Sequence, residues 1–412
     1  MSRLHCGVLL ASFLAVTAYT PVVCAQEAQD TQDRPGIEMH LGQLRLVPAL
    51  AVKDFGVDGN VFNNGENRRD MTVTLAPQVE TSMPFARHAR VTTFLGTDLV
   101  YYQQYASERS VDPHVMVHGE VNLNRLTLFV EPEFQRTRQR LNYEVDARAR
   151  RTQQGTAAGI RMQPREYLHL EGGASIQHLA FDADAVFDGT SLQETLNRRT
   201  RRTWGMVRQD LSPLTAVVLR AEAAKDTFDL SPNRNAASLE VTPGVELRPH
   251  ALISGTAYAG FKRFSPDSPD VPAFRGVVAH ASLAYTLADS TRFTVSAERD
   301  LNYSYERLQP YFVVHGYGVE AQRRLVGQLD LTAGFVRDRN LYRDINVGGA
   351  STNTDPRIDI VRVLSTSVGY RVSPTVRAAI GVAYRDRRTT HAQFGDYGGF
   401  RLMALMNYGL QP

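Results

Sequence analysis

The chain has 412 residues, 43 % of them hydrophobic and 22 % charged, with a formal net charge of +3, too small to argue for a nucleic-acid partner. Beyond Ala25 no apolar run reaches the ~18 residues that a spanning helix needs, so helical membrane insertion is excluded. A mean hydropathy of −0.28 would suit a soluble protein equally, but a β-barrel carries its membrane signal in alternation rather than in runs.

The chain opens with Met1-Ser2-Arg3-Leu4-His5, an apolar stretch from Cys6 to Ala18, and Val23-Cys24-Ala25 before the polar Gln26-Glu27. This is the layout of a secretory signal, expected to be cleaved after Ala25. A retained anchor helix is disfavoured, because Thr17, Thr20 and Pro21 interrupt the apolar core. A lipoprotein site at Cys24 is disfavoured too, since Val23 is larger than such a site accepts. Cys6 and Cys24 are the chain's two cysteines, and both lie in the segment to be removed. The mature chain is therefore expected to carry no thiol, which suits passage through an oxidising periplasm. Gln26 to Gly36 is polar and contains Pro35, and residues 26–40 read as a periplasmic lead-in.

From about Val73 to Leu410 one unit repeats: an apolar/polar alternating run, a tight turn, a second run and a looser polar stretch. The first strand spans 44–53, with Leu44, Leu46, Pro48, Leu50 and Val52 on one face. Strands follow around Met71 to Val79, Val91 to Tyr102, Val115 to Leu123 and Leu126 to Phe134. They continue near 145–162, 166–180, 199–210, 214–227, 236–248, 250–263, 274–287, 291–303, 311–324, 327–338, 358–372, 375–387 and 399–410. The period is two throughout. Tight turns near Pro84, Asn124, Pro164, Pro213, Pro249, Asp289, Val326 and Pro374 recur roughly every forty residues, one hairpin per period.

The fold class that follows is all-β: a transmembrane, antiparallel, up-and-down barrel of eighteen strands filling residues 41–412. An even count returns both termini to the periplasmic side. The tight turns then lie in the periplasm, and the longer segments 56–70, 182–197, 262–273 and 340–356 lie outside. Tyr167, Tyr285, Phe293, Tyr370 and Tyr408 are expected to form a periplasmic aromatic girdle, and Phe134, Tyr258, Tyr303 and Tyr384 an outer one. The last strand, with Leu402, Ala404, Met406, Tyr408 and Leu410 on one face, offers the pattern a barrel-assembly machine reads, although the chain ends on Gln411-Pro412 rather than on an aromatic.

If the aliphatic parity faces lipid, the opposite parity lines the lumen. That assigns Arg45, Glu131, Glu133, Arg148, Arg150, Glu171, Arg220, Glu222, Glu240, Glu246, Glu298, Asp300, Glu320, Arg377 and Arg385 to the pore. A charge facing mid-bilayer lipid costs ~2 to 4 kcal/mol, which is the energetic ground for this parity. So many charges imply a water-filled interior, and eighteen strands enclose an aqueous channel unless something plugs it. The third outer connection, Arg136 to Tyr143, looks too short to fold inward as a constriction, so a wide path is expected.

The basic residues are nearly all arginine, with Lys53, Lys225 and Lys262 the three lysines. That bias suits carboxylate recognition but is explained as well by a GC-rich genome. Arginines crowd the outer end, at 136–140, 148–151, 198–202 and 385–388. Contact with lipopolysaccharide phosphates accounts for them slightly better than a cationic mouth for an acidic polymer.

The sequence holds no Gly-x-Ser-x-Gly, His-Glu-x-x-His, P-loop or cysteine metal knot. Histidines are scattered singly, and pairs such as Glu131 with Glu133 arise in any polar-in strand. No catalytic residue, cofactor or metal site is assigned.

The stretch Gly42-Gln43-Leu44-Arg45-Leu46-Val47-Pro48-Ala49-Leu50, followed by Phe55-Gly56-Val57-Asp58-Gly59-Asn60-Val61-Phe62, resembles the opening of the second "putative β-barrel porin" family. Gly59 stands where a second acidic residue is more usual, which argues against a cation site in this loop. The resemblance implies an outer-membrane barrel associated with exopolysaccharide export, completing a route begun by a periplasmic polysaccharide-export protein, with no covalent chemistry. The alternative is a passive diffusion porin for small hydrophilic solutes. A hydrolase lacks a candidate nucleophile and base, and a soluble β-protein would need partners for both faces of every strand.

Overall fold

The structure, a computed structural model, describes residues 38–409 except positions 147, 250, 289, 348, 349 and 352–354. The expected signal segment and most of the lead-in lie outside the described residues. Eighteen long strands form the wall. They are β1 (Leu44–Asp58), β2 (Asp70–Pro84), β3 (Ala89–Tyr102), β4 (Ser110–Leu123), β5 (Leu126–Thr137), β6 (Arg151–Arg165), β7 (Leu168–Phe181), β8 (Arg198–Ser212) and β9 (Thr215–Phe228). The second half holds β10 (Ala236–Leu247), β11 (Ile253–Pro266), β12 (Phe274–Leu287), β13 (Thr291–Tyr303), β14 (Tyr311–Arg324), β15 (Leu329–Arg343), β16 (Ile358–Ser373), β17 (Val376–Thr389) and β18 (Tyr397–Tyr408).

Each strand pairs antiparallel with the next, and β1 closes the ring on β18 through Leu50↔Tyr408, Val52↔Met406 and Asp58↔Arg401. Closure leaves no edge, the condition for a sheet to sit in lipid. A bulge at 53–55, with Asp54 in the left-handed region at φ 54°, shifts the register of β1 against both neighbours. The shift keeps Phe55 and Val57 outward like Leu50 and Val52 before it, and lets β1 run five residues past its expected end at Lys53. Ahead of β1, Met39–Leu41 folds back on Leu44–Leu46 through Gly42 at φ 64°, so the end of the lead-in is a short ribbon.

One end of the barrel carries tight connections. Asn124, at φ 58°, turns β4 into β5, and Pro213-Leu214 and Pro374-Thr375 turn β8 into β9 and β16 into β17. The other end carries the long ones: 59–69, 138–150, 182–197, 304–310 and 344–357. Short turns face the periplasm and long loops the exterior in barrels of this kind.

The outward faces form an aliphatic belt that includes Leu128, Val130, Ile160, Leu219, Leu239, Val241, Val295, Val319, Leu364, Val368 and Ile380, all exposed. Tyr167, Tyr285, Phe293, Tyr370 and Tyr408 are exposed at the periplasmic rim, and Phe134 and Tyr384 at the outer one. Tyr258 and Tyr303 depart from the expected girdle and point inward, where their hydroxyls donate to Glu246 and Asp226. Polar partners on the inner wall outweigh the interfacial preference of a tyrosine.

Candidate functional site

The inner wall is built by parity. On β5, Leu128 and Val130 face out, so Phe129, Glu131 and Glu133 face in; the same alternation turns Glu171, Arg220, Glu222, Glu240, Glu246, Glu298, Glu320, Arg377 and Arg385 inward. Arg45 lies on the inward parity of β1 at the periplasmic rim, where its Nε donates to Glu38 Oε1 at 2.7 Å. Asp300 faces in and accepts from Lys262 Nζ at 2.7 Å.

Side chains that arch over an intervening strand to a partner two strands away fix which side is concave. Arg208 on β8 reaches Glu246 on β10 at 2.9 Å, Arg377 on β17 reaches Asp330 on β15, and Lys53 on β1 reaches Asp98 on β3. Between neighbours, Arg161 pairs with Glu171 at 3.2 Å, and the Trp204 indole donates to the same carboxylate at 3.1 Å. Glu222 holds Arg220 at 2.7 Å and Arg202 at 3.5 Å, while His118 sits 2.6 Å from Glu131. Most of the wall's cations are thus matched to its carboxylates, and no run of one sign follows the axis.

Two predicted lumen residues, Arg148 and Arg150, are not on a strand. The described residues of the 138–150 connection leave the wall after β5 and fold inward, so the expectation that a strand begins near Val145, and that this connection is too short to narrow the channel, does not hold. The reason is reach: extended chain covers about 3.3 Å per residue, so about six residues out and six back cross ~20 Å, and inward side chains from the far wall close the remaining gap.

The loop is held at both ends and at its tip. Near its base Arg148 pairs with Glu108 at 3.4 Å, Arg138 N donates to Asp112 at 3.1 Å and Gln139 to Asp98 at 2.8 Å. Arg140 donates to Val61 O at 2.6 Å and to Asp146 at 2.9 Å. At the tip, Asp146 receives Arg385 of β17 at 3.1 Å and the hydroxyl of Tyr397 of β18. Glu144 accepts from the Ser304 hydroxyl and from Tyr305 N. Strand β6 thereby becomes linked to β17, β18 and the 304–310 loop across the lumen.

An apolar underside supports these contacts. Leu141, Val145 and Ala149 pack with Leu179 and Phe181 of β7, Tyr305, and Ala185, Leu192 and Leu196 from the 182–197 loop. Helix α1 (Leu192–Leu196) in that loop is capped by the Ser191 hydroxyl, which accepts from Glu194 N. Around this centre Arg234 donates to Thr195 O at 2.9 Å, Pro310 O at 2.6 Å and Ser304 O. Arg357 and Arg387 both hold Asp359 at 2.7 Å, and Arg357 stacks on Tyr342 and Phe394 at 3.9 and 3.6 Å from the ring centroids.

Burial raises the Glu144 carboxyl from 4.5 to about 7, against the pull of Arg357 and the Ser304 hydrogen bond. Burial likewise lowers the Arg234 guanidinium to about 10. Sequence reasoning missed the whole constellation of Glu144, Asp146, Arg140, Arg234 and Arg357. The signal was present but ambiguous, because Leu141-Asn142-Tyr143-Glu144-Val145-Asp146 alternates as a wall strand does. Among the described residues no group of three or more His, Cys, Asp or Glu is placed to hold a metal ion.

A closed antiparallel ring with an aliphatic exterior and a charged interior is a porin-like outer-membrane barrel. The chain belongs to the family described as "Putative beta-barrel porin 2", whose model matches residues 36–407. Comparison with curated proteins gives no match. Among solved structures, a BenF-like porin from Pseudomonas fluorescens Pf-5 superposes with a TM-score of 0.53 at 10 % identity, covering 88 % of this chain and 98 % of that one. OpdQ from Pseudomonas aeruginosa superposes with a TM-score of 0.51 at 9 % identity, with the same coverage of 88 % and 98 %. At such identity the likeness shows the fold alone.

Proposed function

We propose that this barrel is an outer-membrane conduit for export of a secreted exopolysaccharide, acting by geometry and weak polar contacts and carrying out no covalent chemistry. The predicted inward residues, from Arg45 at the periplasmic rim to Arg385 under the outer loops, would line the path. The observation that carries the reading is the charge balance of the inner wall. Guanidiniums already matched to carboxylates, as at Arg161–Glu171, Arg208–Glu246 and Arg377–Asp330, exert little net pull on ions. Their remaining lone pairs and N–H groups still offer many shallow hydrogen bonds to a hydrated chain. The family resemblance supplies the polymer class and the periplasmic export partner. Passage of a polymer requires the 138–150 loop to swing aside.

The inward loop favours a second reading, a diffusion porin for small hydrophilic solutes, because a spanned lumen passes small molecules without moving. Deletion of the gene in its host separates the two, with secreted polymer assayed after complementation by the wild type and by a barrel narrowed with Ala157→Trp and Ser175→Trp on the inner wall. Loss of polymer restored by the wild type but not by the narrowed barrel supports export. Normal polymer output with altered leakage of small solutes overturns it and leaves the porin.

A further inference from the structure

The outer wall is asymmetric. On the flank formed by β18 and β1 to β4, the outward residues nearest the outer rim are apolar, among them Phe400, Val57, Met71, Tyr101 and Val111, all exposed. On the flank formed by β8 to β16 the same height is basic. Arg201 faces Lys225 directly across β8 and β9, and Arg263 faces Arg275 across β11 and β12. Arg299, His315 and Arg339 lie in one cross-strand row over β13, β14 and β15, with Arg337 opposite Arg362 beside them.

Arg201, Lys225, Arg263 and Arg275 share the parity of Leu219, Leu239 and Val277 and are exposed on the lipid side of the wall, just above the aliphatic belt. Arg299, His315, Arg337 and Arg339 share the parity of Val295, Val319 and Leu364 and mark the upper limit of that face, because beyond Arg299 β13 leaves the β12 ladder and the same parity at Leu301, Tyr303, Tyr311 and Val313 is packed into the interior. The outward parity of β8 to β16 contains no Asp or Glu at all. Arg362 is matched by Asp386 of β17. Among the described residues no carboxylate lies within ion-pair distance of Arg201, Arg263, Arg275, Arg299, Arg337 or Arg339. Arg299 instead donates to Val277 O at 2.7 Å, where β13 leaves the β12 ladder, and Arg337 lies over the Tyr317 ring.

Like charges directly opposite across an antiparallel pair repel and destabilise the sheet. Two such couplets, Arg201 with Lys225 and Arg263 with Arg275, stand at headgroup height without carboxylates, with the guanidiniums of Arg299 and Arg339 flanking His315 beyond them, and together they call for an external anion to balance them. We propose that this flank is a binding surface for the phosphate groups of an outer-leaflet glycolipid, each couplet clamping one phosphate. A phosphate between two side chains about 5 Å apart accepts from both, and guanidiniums match it bidentately. The surface lies outside the wall, so a polymer moving through the lumen never meets it.

The test uses the folded full-length barrel in detergent, with bis-phosphorylated lipid A as probe and its dephosphorylated form as control. Retention is read by native mass spectrometry, and resistance to SDS at room temperature reports the fold. Basic residues near a charged membrane surface each contribute enough to predict at least about tenfold tighter retention of the phosphorylated lipid. R263Q/R275Q and R299Q/H315Q/R339Q should each erode that difference, while the R263K/R275K variant keeps most of it. Equal retention of the two lipids by the wild type overturns the proposal even if every variant misfolds. So does undiminished preference in folded Gln variants, or displacement of lipid A by inorganic phosphate at equal concentration, which would mark a free-ion site.

Discussion

The two ends of the barrel obey the same strand rule and finish it in opposite ways. At the periplasmic end the strands close through turns such as Asn124-Arg125 and Pro374-Thr375, whose backbone needs are met locally, and an ion pair such as Arg45 with Glu38 stays exposed to water. At the outer end the described residues of the loops at 59–69, 138–150, 182–197, 304–310 and 344–357 are tied to one another or to the wall. Their ionisable groups are buried: Glu144, Asp146, Arg234 and Arg357 each have 5 % or less of their surface exposed. A buried charge tolerates little displacement of its partner. The outer loops are therefore an assembly that moves off the lumen only when several buried contacts break together, whereas the periplasmic mouth has only its turns.

Removing the assembly's central element should have the largest effect. Replacing residues 138–150 by a short Gly-Ser turn between β5 and β6 is expected to raise single-channel conductance in planar bilayers several-fold, since conductance follows the open cross-section. Unchanged conductance would mean that the path does not run where this loop crosses it.

The contrast in burial gives the next test. Asp359 collects Arg357, Arg387 and the Tyr342 hydroxyl, so Asp359→Ala strands two buried guanidiniums and should cost about 3 to 5 kcal/mol of cap stability. Protease nicking of the outer loops should then speed up markedly. Arg45→Ala, which breaks an exposed pair at the other end, should leave both the nicking rate and the melting temperature unchanged. Equal sensitivity to the two substitutions would erase the distinction between the ends.

The wall was legible because its rule is local. Clean alternation at Leu126 to Phe134 or Leu239 to Leu247 assigns each side chain to water or lipid with no knowledge of its neighbours, and Pro213 and Pro374 mark turns by their own backbone restrictions. The cap was illegible because its partners are remote: Asp146 meets Arg385 and Tyr397, and Glu144 meets Ser304, contacts that no spacing encodes. Its one local feature, the alternating Leu141 to Asp146, misled, since an extended loop between an apolar underside and a polar collar has the periodicity of a strand. Tyr258 and Tyr303 misled in the same way, an interfacial residue type being claimed by inward carboxylates.

The smallest effect tests whether the cap responds to pH. Glu144 faces Ser304 and Tyr305 from the 304–310 loop, Arg234 from the loop after β9, Arg357 before β16, and Asp359, Arg387 and Tyr342 from the wall. Its folded carboxyl titrates at about 7 against 4.5 when free, so the packed loop prefers it protonated. Raising the pH through this window ionises a group that the cap holds neutral. The packed state then loses up to about 3 kcal/mol, none of it below the free value and all of it above the folded one. Arg234 and Arg357 stay charged throughout, so they do not reverse the sign. Transient openings in bilayer recordings should thus be more frequent at pH 8.5 than at pH 5.5. Glu144→Gln, which keeps the shape without the proton, should hold the low-pH pattern at both values. The same pH response in that variant would move the switch to another group and leave Glu144 a purely structural anchor of the loop.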